Sequence, residues 1–314
     1  MTASALPPLV VVAGATASGK TALSLGLAES LAARGIPTEI ISADSRQVYR
    51  GMDIGTAKAT LEERARVVHH GLDLVDPNQP FSVADFADHA SDALAGIAER
   101  GGVALLAGGT GFYLRAIARG LAVDALPWDA DVRAAIEEAL VADGLVALVS
   151  ELQRLAPTRA AAIDLRNPRR VVRALEIARL RGDAPLPEPR GYGRPVLWLG
   201  LSVEPPVLLE RIRHRARAQF EAGLVEETRA LLARFDPTLF SFSGIGYAEA
   251  MAVIEGRLSP DEAIAEDARR NLHFARRQAT WFRREADICW LDATSEMPHN
   301  EALSSTLEYL ARQT

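Results

Sequence analysis

The chain opens with a short apolar run, LVVVAG from Leu9, bounded by proline and glycine, and that pattern recurs along the sequence. IPTEIISADS, RGGVALLAGGT and RPVLWLGLSV each carry four to six apolar positions between turn residues, and DICWLDA carries a shorter late run. Continuous apolar runs of that length predict strands buried on both faces, the habit of a parallel sheet. The intervening segments have a different period. Lys20 to Arg34 has helical spacing without proline and stops at Gly35, and GFYLRAIARG follows the third run in the same way. Strands alternating with helices predict an α/β fold, a doubly wound parallel sheet with flanking helices. Ligands of such sheets bind beyond the C-terminal strand ends, where Lys20, Asp44 and Thr110 all fall.

Between Leu121 and Arg190 the strand pattern stops. DADVRAAIEEALVADGLVALVSELQRL and NPRRVVRALEIARLRG are amphipathic helical stretches with no strand between them, and DAPLPEPRGYGRP reads as a linker back to the sheet. The expected organisation is a core begun by residues 1–120, a helical insertion at 121–190, and a return to the core at 191–314 that is mostly helical from Pro205 to Glu285.

Composition narrows the class. Of 314 residues, 48% are hydrophobic, and no apolar run approaches the ~20 residues of a bilayer span, so a cytoplasmic protein without a membrane partner is expected. The segment before LVVV lacks the basic start of a signal peptide. A single cysteine, Cys289, excludes an internal disulfide and a cysteine zinc cluster. His69 and His70 are adjacent and face different directions on either kind of element, so a zinc site is not expected there. The net charge of −6 argues against a general nucleic-acid binder. Among 35 basic residues only Lys20 and Lys58 are lysines, so both mark places where arginine does not serve.

GATASGKT, from Gly14 to Thr21, has the spacing of a phosphate-binding loop between a strand and a helix. Its residues Gly14, Ala15, Thr16, Ala17, Ser18, Gly19, Lys20 and Thr21 would wrap a diphosphate. Backbone N–H groups from Ala15 to Lys20 face the phosphates, and Thr21 supplies an oxygen to Mg²⁺. A nucleotide-hydrolysing enzyme would also end an apolar strand in a carboxylate, but the third run ends in Gly-Gly-Thr. The acid available is Asp44, at the end of the second run, which suits a general base or metal organiser and equally suits a turn aspartate. Lys58 is a site candidate on the same reasoning as Lys20, with a surface lysine as the alternative.

Three arginine clusters bear on partners. RNPRRVVRALEIARLR sets six arginines against Glu176, RIRHRARAQ holds Arg211, Arg213, Arg215 and Arg217, and RRNLHFARRQATWFRR repeats an arginine pair every seven residues. Pairs at that interval return to nearly one helix face. With Phe274, Trp281 and Phe282 interleaved, the stripe suits a phosphate backbone with exposed bases, or else a solvated helix face with its aromatics in the core.

These segments together resemble the tRNA dimethylallyltransferase (isopentenyl-diphosphate:tRNA isopentenyltransferase) family. GATASGKT, ISADSRQVYRGMDIGTAK, HHGLDLVDP, LLAGGTGFYLRA, NPRRVVRALE, SFSGIGYAEA and ARRQATWFR carry the resemblance over almost the whole chain. It implies a P-loop NTPase-like sheet with a helical insertion, and transfer of a dimethylallyl group from dimethylallyl diphosphate to N6 of the adenosine beside the anticodon, position 37. By resemblance Lys20, Thr21 and the loop amides hold the leaving diphosphate with Mg²⁺, Asp44 is the base, and Thr110 lies near the reacting centre. Arg211 and Arg215 match arginines that bind diphosphate or tRNA. The tRNA anticodon stem-loop would meet Asp44, Ser45, Arg46, Gln47, Lys58, Thr110, Arg133, Arg169, Arg170 and Arg173. It would also meet Ser243, Gly244, Ile245, Gly246, Tyr247, Ala248, Arg276 and Arg277. A monomer is expected. The chain departs from the pattern at Ala15, where the family commonly has proline, and at Leu272, where an arginine is common, so that contact is not carried over.

Overall fold

The structure is a computed structural model and describes residues 6–313. Six strands, β1 (Leu9–Gly14), β2 (Thr38–Ser42), β3 (His69–His70), β4 (Val103–Gly108), β5 (Val196–Ser202) and β6 (Ile288–Asp292), form one sheet in the order β3-β2-β4-β1-β5-β6. Every strand pair is parallel. The helices are α1 (Lys20–Ala32), α2 (Leu61–Arg66), α3 (Val83–Glu99), α4 (Gly111–Ala118), α5 (Ala130–Leu155) and α6 (Pro157–Ala161) in the first half. They continue with α7 (Pro168–Arg181), α8 (Pro205–Glu221), α9 (Leu224–Leu232), α10 (Tyr247–Ile254), α11 (Pro260–Phe282) and α12 (His299–Ala311).

β1 is central, and all six of its residues are buried, which is why LVVVAG shows no alternation. Strand pleating still divides its side chains between two layers. Leu9, Val11 and Ala13 pack with Phe86, Leu114, Trp198 and Phe282 on one face. Val10 and Val12 pack with Leu23, Leu27 and Leu31 of α1, and with Tyr309 of α12, on the other. β3 is a two-residue edge strand that no apolar run announces; His70 Nε2 meets Glu39 at 2.7 Å and His69 Nδ1 meets the Val67 carbonyl at 2.7 Å.

The chain divides into two compact units, residues 1–120 with 191–314, and residues 121–190. In the first, Ala15 of the glycine loop packs with Ile212 and Ala216 of α8 and Ala268 and Ala275 of α11, so both helices are seated against the loop. The second unit is α5, α6 and α7 around Ile136, Leu148, Leu152, Val171 and Leu175. α5 is not one straight helix: Gly144 adopts φ 79°, ψ 172°, a conformation glycine tolerates, and interrupts it. Glu176, the one acid of its arginine-rich stretch, is fully buried and accepts from Arg133 Nη2 and Arg173 Nη1 at 2.7 Å each, and from the Asp129 N–H. Arg133 and Arg173, expected to contact tRNA, therefore also tie α5 to α7, while Arg169 and Arg170 are exposed.

Candidate active site

The glycine loop takes its shape from positions that cannot carry a side chain without conflict. A Cβ on Gly14 would lie 2.7 Å from Ser18 Oγ and 3.1 Å from the Leu201 carbonyl, and Gly19 sits at φ 99°. Ala17 accepts the left-handed region at φ 61°. α1 starts at Lys20 with no side-chain cap, so no capping side chain takes up the N–H groups of its first turn. Two expected donors are spent within the protein: Ser18 N–H donates to the Ala15 carbonyl at 3.2 Å, and Thr16 N–H donates to Gln278 Oε1 at 2.8 Å, whose amide donates in turn to the Gly109 carbonyl at 2.9 Å. The buried Gln278 of α11 thereby joins the phosphate loop to the GGT turn. It lay unassigned within ARRQATWFR, since its role depends on two segments remote in sequence.

The same crowding explains why β4 ends without a carboxylate. Side chains at Gly108, Gly109 and Gly111 would collide with the Ala43 carbonyl, the Gln278 amide and the Trp281 ring. These close approaches bring the ends of β2 and β4 together. Thr110 N–H donates to the Ala43 carbonyl at 3.2 Å, and Ser45 N–H donates to Thr110 Oγ1 at 3.1 Å. Arg46 N–H donates to Asp44 Oδ1 at 2.9 Å, so Asp44 is indeed a turn aspartate, with Oδ2 making no hydrogen bond among the described residues. Thr110 is absent from the cavity lining; its hydroxyl holds the turn that carries Asp44, one step behind the place expected for it.

A cavity of about 780 Å³ lies between loop and turn, lined by Lys20, Thr21, Asp44, Arg211 and Arg215 and, on its apolar side, by Ile40, Leu72 and Ala59. Lys20 Nζ donates to the Ala15 carbonyl at 2.8 Å. Burial pulls its pKa down to about 8; Asp44 acts to raise it and Arg215 to lower it further. Burial likewise lowers the Arg215 pKa, against Asp267 and Asp44. Arg211 Nη2 donates to the Thr294 carbonyl at 3.0 Å and Arg215 Nη2 to Asn271 Oδ1 at 3.2 Å. The cavity lining thus brings Lys20, Lys58, Arg211 and Arg215 together with the carboxylates of Asp44, Glu63 and Glu210. Thr21 offers a hard hydroxyl oxygen, and no group of three or more His, Cys, Asp and Glu residues able to hold a metal occurs among the described residues. That donor set fits an ion held mostly by substrate phosphate and water, the habit of Mg²⁺.

Other expected contacts are placed differently. Lys58 is buried and gives its ammonium to Asp53 Oδ1 (2.7 Å), Asp73 Oδ1 (2.6 Å) and the Tyr49 carbonyl (2.5 Å), so it ties the GMDIGTAK loop together and has no donor to spare for RNA. Gln47 bridges Ser42 Oγ to the Thr56 and Ala57 carbonyls. Arg46 reaches the Phe240 and Ser241 carbonyls and Ser243 Oγ, which brings Asp44's turn to the SFSGIGYAEA stretch. Within that stretch Ser243 is exposed and Ile245 and Ala248 are half-buried, but Gly244 and Gly246 are buried. Tyr247 is also buried, its hydroxyl donating to Glu227 Oε1 at 2.5 Å. Of the seven-residue stripe, Arg269 pairs with Glu266 and Arg270 with Glu249, leaving Arg276, Arg277, Arg283 and Arg284 exposed. Phe282 is 1% exposed and belongs to the core, so it takes no part in a stacking surface.

The IPP transferase family model matches residues 47–285. The chain belongs to that family. A tRNA dimethylallyltransferase from Roseiflexus sp. (strain RS-1) is 42% identical over 309 residues, covering 96% of this chain and 99% of that protein. The crystal structure of the full-length tRNA isopentenylpyrophosphate transferase from Bacillus halodurans matches with a TM-score of 0.69 at 38% identity, over 97% of this chain and 95% of that one. A eukaryotic dimethylallyltransferase acting on tRNA shares the fold, with a TM-score of 0.79 at 23% identity, over 98% of this chain and 80% of that one. The IPP transferase assignment makes this chain a prenyltransferase-type enzyme, and a phosphate loop without a carboxylate on the neighbouring strand accords with that chemistry.

Proposed function

We propose that the chain transfers the dimethylallyl group of dimethylallyl diphosphate to N6 of adenosine 37 in tRNA, releasing diphosphate. The observation that carries this reading is the gathering of Asp44, Lys20, Arg211 and Arg215 around one cavity that Ile40, Leu72 and Ala59 also line. The cations and the N–H groups at the start of α1 receive the diphosphate, and Thr21 would hold Mg²⁺ together with substrate oxygens. Held there, the ion would supply positive charge to the leaving group. Ile40, Leu72 and Ala59 shelter the allyl carbon from water as its C–O bond breaks. Adenosine N6 forms the new C–N bond, and its displaced proton passes to Asp44, whose Oδ2 is uncommitted. Allylic diphosphates ionise readily, so alignment and leaving-group stabilisation do more here than basicity. The adenine must leave its stack to reach the cavity. Exposed Arg276, Arg277, Arg169 and Arg170 are the arginines proposed to meet tRNA phosphates.

The test is incubation with labelled dimethylallyl diphosphate, Mg²⁺ and either unmodified tRNA or AMP. Label in tRNA is expected; label in AMP alone would indicate a free-nucleotide enzyme, and catalytic phosphate release from ATP would indicate a kinase. Asp44→Ala should lower transfer by about 10²-fold or more, the range for loss of a general base, while tRNA binding survives.

A further inference from the structure

Arg215 is half-buried at the cavity, yet no carboxylate pairs with it: its one hydrogen bond among the described residues goes to the amide oxygen of Asn271 at 3.2 Å. Asn271, itself 6% exposed on α11, turns its Nδ2 to Asp267 Oδ1 at 2.7 Å, one helical turn earlier. Asp267 is fully buried, and its second oxygen, Oδ2, has no hydrogen-bond partner. An unsatisfied buried carboxylate is costly to retain, so its place behind Asn271 calls for a physical reason.

We propose that Asn271, backed by Asp267, is a positioning residue that orients the Arg215 guanidinium toward the diphosphate while keeping it out of an ion pair. A carboxylate placed directly on Arg215 would neutralise the cation and compete with the incoming anion. An amide interposed between them transmits orientation instead. Its oxygen fixes one of the five guanidinium N–H donors, its nitrogen is fixed by Asp267, and four donors stay uncommitted to the protein. The groups facing Asp267 support this assignment. Glu249 of α10 repels it, Arg215 of α8 and Arg270 of α11 attract it from a distance, and Gly246 lies close to Oδ2. Burial outweighs these and raises the Asp267 pKa to about 6, and Asp267 in turn supports the Arg215 charge against burial, across the interposed amide and without a direct ion pair. The chain has Leu272 beside Asn271, facing Ala15 of the loop with the other apolar residues there, so that neighbouring position supplies no cation of its own.

The inference rests on the proposed role of Arg215 in holding diphosphate, and its test is separable from the transfer assay. Binding of inorganic pyrophosphate with Mg²⁺, measured calorimetrically without tRNA, should weaken about tenfold in Asn271→Leu, the order expected for losing a hydrogen bond that orients a charged group. KM for dimethylallyl diphosphate should rise in parallel, with kcat and tRNA affinity within about threefold of wild type, a split a general packing defect would not produce. In an Arg215→Ala background the same substitution should add nothing, because its effect passes through the guanidinium. Asn271→Ser, smaller and polar, gives the same coupling with a lesser loss if the leucine variant fails to fold. Unchanged pyrophosphate affinity in a folded Asn271 variant, or losses that add fully in the double variant, would overturn the proposal. Wild-type protein that binds pyrophosphate but labels no tRNA counts against the proposed reaction and not against this relay.

Discussion

At the scale of single residues, the two lysines of an arginine-rich chain have separate reasons to be lysines. Lys20 needs a compact ammonium that reaches over the loop to the Ala15 carbonyl. Its burial without a carboxylate partner costs the empty protein stability. The unfolded chain keeps this proton up to the ordinary value of 10.5, while the folded chain releases it near pH 8. The unfolded state thus binds more protons between those limits, and the lysine's penalty is relieved as pH rises through them. Lys20→Met should therefore melt about 2–4 °C above wild type at pH 7, with the difference shrinking toward pH 10, and should lose pyrophosphate binding. Equal melting temperatures at both pH values would show that the ammonium is well solvated. Wild-type pyrophosphate affinity should itself decline above about pH 8 as the ammonium is lost.

Elements are joined here by side chains whose partners lie far along the chain. The GMDIGTAK loop is gripped from one side by Lys58 and from the other by Glu227 of α9, whose carboxylate accepts the Asp53, Ile54 and Gly55 N–H groups and the Tyr247 hydroxyl. Gln219 of α8 donates to the Ile54 and Gly55 carbonyls from below. Against its burial, Asp73 is kept below the usual carboxylate range by Lys58 and Arg64. Lys58→Met leaves Asp53 and Asp73 without their shared cation and should destabilise the protein by about 1–3 kcal/mol in urea titration, since both carboxylates keep partial contact with water and Asp73 keeps Arg64. Its tRNA affinity, measured below the transition, should stay near wild type; a specific loss would return Lys58 to the RNA-contacting set. Glu285 joins α4 to the end of α11 in the same manner, accepting from Arg115 Nε at 2.5 Å and Arg119 Nε at 2.9 Å.

For the molecule as a whole, an acidic chain is proposed to bind a polyanion through arginines it leaves exposed. Arg269 and Arg270 have acidic partners, whereas Arg276 and Arg277 stand exposed about two turns further along α11, and Arg277 lies over the Phe274 ring. Replacing Arg276 and Arg277 with glutamine should weaken tRNA binding and reduce the slope of log K against log salt by about 1–2, as expected when one or two phosphate contacts disappear. An unchanged slope would make the stripe an ordinary solvated face.

The parallel sheet, the phosphate loop and the helical stretch at 121–190 were legible because each depends on local pattern: apolar run length, glycine spacing and helical period. β3 was not, since a two-residue edge strand is defined by its partner β2 rather than by its own residues. The same distinction holds at the candidate site. Sequence by itself singled out Lys20, Thr21, Asp44, Arg211 and Arg215, which line one cavity, because backbone spacing and charge are written locally. Tertiary structure alone decided that Thr16 gives its N–H to Gln278, that Thr110 holds the Asp44 turn, and that Lys58 is a buried tie. It also decided that Arg215 answers to Asn271 and Asp267. A hydrogen bond or buried charge is satisfied by whichever group the fold brings near, and those partners lie on segments that sequence spacing does not connect.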